Sequence, residues 1–473
     1  MRRPDLHTRK RGAAVLVLVL LAAGACSSGR APGKAAPHFV DGAAGIGDPY
    51  FPTYGNGGYD VAGYDLAVRY DPASGRLDGT ATITATATED LKRFDLDLAH
   101  LSVAKVTVNG AAASSAMSKN ELVVTPATGI VRGSAMTVVV AYGGKPQQLQ
   151  NKELGGGGWL RTSDGAIALG QPESASTWYP VDDHPADKAT FKLAMTVPNG
   201  LQVLSNGVPG PSQTSGGWTT WHWAEGSPMA SYLSTVVIGH YRVTTSTHDG
   251  KPMVLAVPDA LPANGPGATS IGRTGEIADF LATQFGPYPF DAYGGIVVDD
   301  SRIGYALETQ SRPTYSESFF DSGPNPTVIA HELAHQWFGD SVALERWQDI
   351  WLNEGFATYA EWLWSEHSGG LTVAQNFDRQ YSGFDWQQAP GNPGVARLFG
   401  DAVYQRGAMT VYALRKAMGD EAFGRLLTTW TSQYRDGNGT TAEMKALAEK
   451  LSGKNLDNLV QNWLYGTTKP AHP

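Results

Sequence analysis

The 473-residue chain carries 36 Lys and Arg against 45 Asp and Glu, a formal net charge of −9, and 42% of its residues are hydrophobic. Length and composition allow two to three domains with a large core, and they exclude a disordered protein beyond roughly the first forty residues. An acidic balance with no basic run outside the amino terminus excludes nucleic acid as a partner.

The amino terminus reads as a targeting segment. Arg2, Arg3, Arg9, Lys10 and Arg11 precede an apolar run from Ala13 to Ala23, too short to span a bilayer, and the small residues Ala22-Ala23-Gly24-Ala25 lead into Cys26. Residues 1–25 are therefore expected to be a signal peptide. Their removal leaves 31 basic and 44 acidic residues, a net of −13. Cys26 is the sole cysteine, so an internal disulfide is excluded. Its position resembles the lipobox of bacterial lipoproteins, although Leu21 stands further from it than usual; a plain signal-peptidase site near Ala25 is the alternative. The expected location is outside the cell, lipid-anchored at the membrane or else secreted. Residues 26–49, rich in Gly, Ala, Ser and Pro, read as a flexible tether.

From residue 50 to 245 the pattern is strand and turn. Ala81 to Thr88 alternates with period two, Val103, Val106 and Val108 run into the tight-turn pair Asn109-Gly110, and Met136 to Tyr142 is β-branched. Gly155 to Gly158 reads as a loop or a close approach of backbones. An antiparallel β domain is expected.

Residues 246–473 are mainly helical. Thr269 to Phe285 is amphipathic, Gly294 to Val298 is a buried strand, and Ala306 to Gln310 is an edge segment. Helical patterns follow the central motifs at Val403–Met418, Glu421–Tyr434, Thr441–Leu451 and Leu456–Leu464. Strands followed by helices give an α+β fold.

The chemistry lies in His331-Glu332-Leu333-Ala334-His335 and in Glu354, nineteen residues after the second histidine. The string sits in an apolar helical pattern closed by Gly339, which suits a C-cap, and Glu354 opens a second helix. Residues four apart share a helix face, so both imidazoles converge on one ion, while Glu332 lies about 100° further round, beside the ion. Two histidines and one glutamate leave a coordination position open, as a catalytic zinc requires. A carboxylate at Glu332 is placed to take the proton of an attacking water. The expected reaction is metal-assisted hydrolysis of a peptide bond with one zinc ion, and the expected partners are peptides, with membrane contact only through the lipid anchor and no protein partner.

These motifs resemble the M1 family of zinc metallopeptidases, the gluzincins, most of which are aminopeptidases. The resemblance rests on His331 to Asp340 and on Trp351-Leu352-Asn353-Glu354-Gly355-Phe356-Ala357. It implies an amino-terminal antiparallel β domain followed by a thermolysin-like, mainly helical zinc domain. Val403-Tyr404-Gln405-Arg406-Gly407-Ala408 looks like the family's tyrosine motif, with Arg406 where lysine is usual, which gives Tyr404 the role of stabilising the oxyanion. Gln171, ahead of Tyr179-Pro180-Val181-Asp182-Asp183-His184-Pro185, matches a glutamine that helps bind the substrate's amino terminus. Gly304-Tyr305-Ala306-Leu307-Glu308-Thr309 stands where the family has Gly-x-Met-Glu-Asn, so Glu308 is the candidate for the free α-ammonium. Here Leu replaces Met, Thr replaces Asn, and the glycine comes one position early. Glu361, seven residues after Glu354, is a candidate to orient a zinc-ligand imidazole.

Many family members carry a long helical carboxy-terminal domain over the cleft, whereas this chain ends about seventy residues after Tyr404. A more open cleft is the expectation. The altered residues around Glu308 favour an alternative, an open-cleft endopeptidase or broad peptidase. A non-catalytic surface-binding lipoprotein is a third reading, for which Glu332 and Tyr404 would be superfluous. Trp337, Phe338 and Tyr305 are candidates either for a specificity pocket or for the core.

Overall fold

Alternating exposure along Tyr59–Asp71 and Arg76–Ala87 sets the architecture of the first half: Val61, Leu66, Val68, Leu77, Ala81 and Ile83 point inward while Asp65, Thr80 and Thr84 face water. The computed structural model describes residues 37–152 and 155–473; the expected signal peptide, Cys26 and residues 26–36 of the expected tether lie outside the described residues. Val40–Asp41 pairs with Leu91–Asp97 and Asp48 is buried, so the tether expected to reach residue 49 is folded structure from Val40 on. Phe39–Pro473 forms one compact unit. Among the described residues no helix is long and apolar enough to cross a membrane.

These two strands belong to a twelve-stranded sheet that runs from Val40–Asp41 at one edge to Val208–Pro209 at the other. Asn109 and Gly110, both with positive φ, turn Ser102–Val108 into Ala111–Ser118, as the sequence suggests. The sheet is mostly antiparallel, but Tyr59–Asp71 pairs in parallel with Lys188–Pro198. Local patterning cannot show that pairing, because a parallel partner requires a long crossover. Gly155–Gly158 is an extended strand, with Gly158 pressed against Thr177. This selects the close-approach reading. The strand belongs to a five-stranded sheet in which Ala166–Leu169 and Val236–Gly239 are fully buried.

The expected domain limit at residue 245 falls inside the strand Tyr241–His248. That strand forms a hairpin with Lys251–Pro258, which pairs in parallel with Tyr293–Val298. The sheet of the second half thus begins at Tyr241, and the limit moves ahead of it. The helix expected over 269–285 is two helices, α1 (Pro266–Ile271) and α2 (Thr274–Phe285). They break at Gly272-Arg273, where the Thr274 hydroxyl takes the Ile271 carbonyl at 2.7 Å.

Helix α3 (Pro326–His335) starts with Asn325 as N-cap, its side chain accepting from the Val328 amide, and with Pro326 at the first position. It ends four residues before Gly339, the expected cap, and past its end the Phe338 carbonyl turns back to Nδ1 of His335. Helix α4 (Trp351–His367) packs along α3, with Phe338 stacked on Phe356 at 4.4 Å between ring centres. Next come α5 (Val373–Gly383), a π-helical turn over Ala402–Arg406, α6 (Gly407–Met418), α7 (Asp420–Gln433), α8 (Thr441–Ser452) and a last helical stretch from Asp457 to Tyr465. Gly355 of α4 and Gly407 of α6 meet backbone to backbone: a Cβ on Gly355 would lie 2.8 Å from the Gly407 carbonyl carbon. That contact brings the π-helical turn against the first turn of α4. One cation ties the β half to this region. The Lys188 ammonium, its pKa lowered to about 8 by burial, donates to the carbonyls of Asp340, Ser341 and Gly437.

Candidate active site

The facing surfaces of α3 and α4 bring three side chains to one point. Nε2 of His331 and Nε2 of His335 each lie 3.3 Å from Oε2 of Glu354. Tetrahedral ligands at zinc–nitrogen distances would be separated by about 3.3 Å, so the donor set fits zinc in both spacing and chemistry. The outer nitrogens are held as well. Nδ1 of His331 is 2.7 Å from Glu361 Oε1, and Nδ1 of His335 is 3.0 Å from the Phe338 carbonyl. With Nδ1 as the donor in each ring, both Nε2 atoms are left as acceptors towards the common point.

The electrostatics match a cation there. Burial alone would raise Glu354, yet His335 and the hydrogen bonds from both histidines hold it near 2. Burial opposes charge on His335 too, but Glu354 and Glu308 outweigh it and lift the imidazole to about 9. Carboxylates that stabilise a proton on the ring would equally stabilise a metal ion beside it.

A cavity of 330 Å³ opens over this point. It is lined by every catalytic, metal-ligand and substrate-binding candidate named from the sequence, and by Glu361: Gln171, Glu308, His331, Glu332, His335, Glu354, Glu361 and Tyr404. Tyr305, Phe319, Asn325 and Val328 complete much of the wall, whereas Trp337 and Phe338 belong to the core. Glu332 is 5% exposed, and burial pushes its carboxyl up to about 7. The Tyr404 ring lies 6.0 Å from that of His331 at 23°. Burial, then the charges of Glu354, Glu308 and Glu332, raise the Tyr404 phenol, so it keeps its proton and remains a hydrogen-bond donor.

Glu308 lines the cavity beside Glu332 and His335 of α3. Its Oε1 accepts from Gln171 Nε2 at 3.2 Å and from the Tyr232 hydroxyl at 2.9 Å. Gln336 fixes the backbone beneath it, donating to the Glu308 carbonyl and accepting from the Ser311 amide. Thr309, at the family's asparagine position, spends its hydroxyl locally on the Arg312 carbonyl. Tyr232 and Gln336 carry no assignment from sequence. Tyr232 is 76 residues from its partner and has no local pattern; Gln336 is part of the zinc motif, but its direction is set by the fold.

Comparison with known proteins follows the same division of the chain. A model described as the peptidase M1 N-terminal domain matches residues 61–233, and one described as the peptidase family M1 domain matches residues 270–463. Aminopeptidase M1-D of Oryza sativa subsp. japonica is 26% identical over 448 residues, 87% of this chain and 50% of that protein. Aminopeptidase N of Rattus norvegicus is 29% identical over 300 residues, 57% of this chain and 31% of that protein. The chain thus spans half or less of the length of these curated relatives. The M1 zinc metallopeptidase of Deinococcus radiodurans superposes with a TM-score of 0.82 at 28% identity, covering 91% of this chain and 99% of that one. A mutant of that enzyme bound to a Tyr-Ser-Ala substrate gives 0.83 at 29%, with coverages of 91% and 99%. Matched on both halves, and by whole solved structures over nearly all of its folded length, the chain belongs to peptidase family M1.

Proposed function

We propose that this protein is a zinc-dependent aminopeptidase that removes single residues from the free amino termini of peptides. The observation that carries the reading is the placement of Glu308: one carboxylate oxygen of Glu308, one of Glu332 and a ring nitrogen of His335 lie within 4.8 Å of one another. An ammonium-binding carboxylate so close to the hydrolytic centre leaves room for one residue between them.

His331, His335 and Glu354 would hold the zinc. When bound, zinc supplies Lewis acidity that acidifies water and polarises the scissile carbonyl. Glu332 removes the proton of the attacking water and returns it to the nitrogen of the leaving amine as the C–N bond breaks. The Tyr404 hydroxyl donates to the oxygen on which negative charge develops. Glu308 and Gln171 hold the α-ammonium, which fixes the bond that is cut.

The deciding assay uses residues 27–473 with matched peptides bearing free and acetylated amino termini, each with and without a zinc chelator. Chelator-sensitive release of single residues from the free peptide alone is expected. Equal cleavage of both peptides would replace this reading with the endopeptidase one, for which the departures at Leu307 and Thr309 speak.

The same proposal places the enzyme outside the cell on a lipid anchor at Cys26. The basic stretch, the short apolar run and the small residues before Cys26 support it. Metabolic labelling with a radioactive fatty acid should mark the wild type and not Cys26→Ser; labelling of neither would make the protein a secreted one.

A further inference from the structure

Glu308 faces an electrostatic difficulty that its role as ammonium receptor does not solve. It is 2% exposed, and its carboxylate stands within 4.8 Å of Glu332 oxygen and His335 nitrogen. Burial disfavours its charge, and Glu354 repels it while His335 attracts it, so the charges around it do not fix which way its two oxygens face. A carboxylate kept in place under those conditions needs a donor that does not itself move.

Gln171 is a poor candidate for that task, being half-buried and itself part of the cavity wall. Tyr232 meets the requirement. It is 1% exposed, in a short turn (Ser231–Leu233) at the end of the long strand Trp218–Ala230. Its neighbour Ser231 is tied by its hydroxyl to Asp183 Oδ1 at 2.7 Å, and Asp183 in turn accepts from the Ser176 amide. The Tyr232 ring lies 5.5 Å from that of Trp347, whose amide donates to Asp48. The hydroxyl is thus delivered by a side chain fixed at both ring and backbone, and it donates to Glu308 Oε1 at 2.9 Å. Gln171 binds the same oxygen. Oε2 is committed to neither.

We infer that Tyr232 is a positioning residue: its hydroxyl pins Glu308 Oε1 so that Oε2 is presented to the α-ammonium of the substrate. The inference rests on the aminopeptidase reading and extends it. It makes amino-terminal recognition a joint product of the two halves, with the orienting donor supplied by the β half and the charge by the catalytic half. Tyr232 itself touches no substrate.

The test compares Tyr232→Phe, Glu308→Ala and the double variant on free and acetylated peptides. Loss of a hydrogen bond to a charged group should raise KM for the free peptide about tenfold or more, and by far more than for the acetylated one. In the Glu308→Ala background the same change should add nothing, because the group it positions is gone. Replacing Tyr232 with 4-aminophenylalanine keeps the ring against Trp347, restores a donor, and should recover most of the affinity. Equal effects on both peptides, a full effect in the Glu308→Ala background, or no rescue by the amino analogue would each overturn the assignment and leave Tyr232 as core packing. The two readings fail separately. If Glu308→Ala leaves the ratio between free and acetylated peptides unmoved, the aminopeptidase reading is wrong; if it moves that ratio while Tyr232→Phe does not, only the role of Tyr232 is lost.

Discussion

Glu361 Oε1 stands 2.7 Å from Nδ1 of His331, on the side of the ring away from Glu354. Two turns of α4 separate the two glutamates, so in the proposed zinc site one helix would supply both a metal ligand and the group that orients another ligand. Glu361→Gln should weaken zinc binding by roughly 10- to 100-fold, since outer partners of ligating histidines contribute about that much. Competition with a chromophoric chelator measures it. Unchanged affinity would reduce Glu361 to a surface carboxylate.

Glu332→Gln keeps the shape and burial of the side chain and removes its capacity to take a proton. Activity should fall by several orders of magnitude while metal content stays stoichiometric. Turnover comparable to the wild type would sink the assignment of Glu332 as general base.

The contact between Gly355 and Gly407 couples helix packing to chemistry. Gly355→Ala places a methyl group 2.8 Å from the Gly407 carbonyl carbon, and overpacking of this kind costs about 1–3 kcal/mol. The π-helical turn that carries Tyr404 is the element displaced. Its kcat should therefore fall in the direction of Tyr404→Phe, which loses an oxyanion donor and roughly 100- to 1,000-fold in rate. Zinc content should hold in both variants. A Gly355→Ala enzyme with wild-type kcat would show that the turn absorbs the methyl group without moving its tyrosine.

Buried carboxyls in the β half set a pH dependence away from the metal. Asp187, whose Oδ2 accepts from the Val61 amide, is raised to about 7, chiefly by burial. An acid whose folded pKa exceeds its unfolded value holds its proton longer in the native state, so its stabilising contribution is complete near pH 4 and is lost as pH rises through 7. Asp187→Asn has no proton to lose. The Tm of Asp187→Asn minus that of the wild type should therefore grow by a few degrees between pH 5 and 8, both proteins being saturated with zinc. A difference that stays flat or shrinks over that range would contradict the raised pKa.

Much of the site can be read from the chain because its chemistry is local. His331 and His335 share a helix face by spacing, Glu361 follows Glu354 by two turns, and Asn325-Pro326 marks the start of α3. The features that escape sequence reasoning depend on distant partners. The Tyr232 hydroxyl and the Gln336 amide become informative only once Glu308 is brought to them, and the parallel pairing of Tyr59–Asp71 with Lys188–Pro198 joins strands more than a hundred residues apart. Helix α5 escapes sequence reasoning for a different reason. Only Val373 and Phe377 of it are buried, too few to produce a clear apolar stripe, and its start depends on a capping box between Thr372 and Gln375.

Arg406 stands where the resemblance in sequence leads one to expect lysine, and among the described residues the hydrogen bonds of its guanidinium all go to backbone. It donates to five backbone carbonyls: those of Trp386 and Gln388, and those of Asn462, Trp463 and Gly466. Lysine, with three donors, could not fill that set. Asn462, Trp463 and Gly466 supply three of the five acceptors of Arg406, so the turn that carries Tyr404 is fastened from the far end of the helical half and not from its own helix.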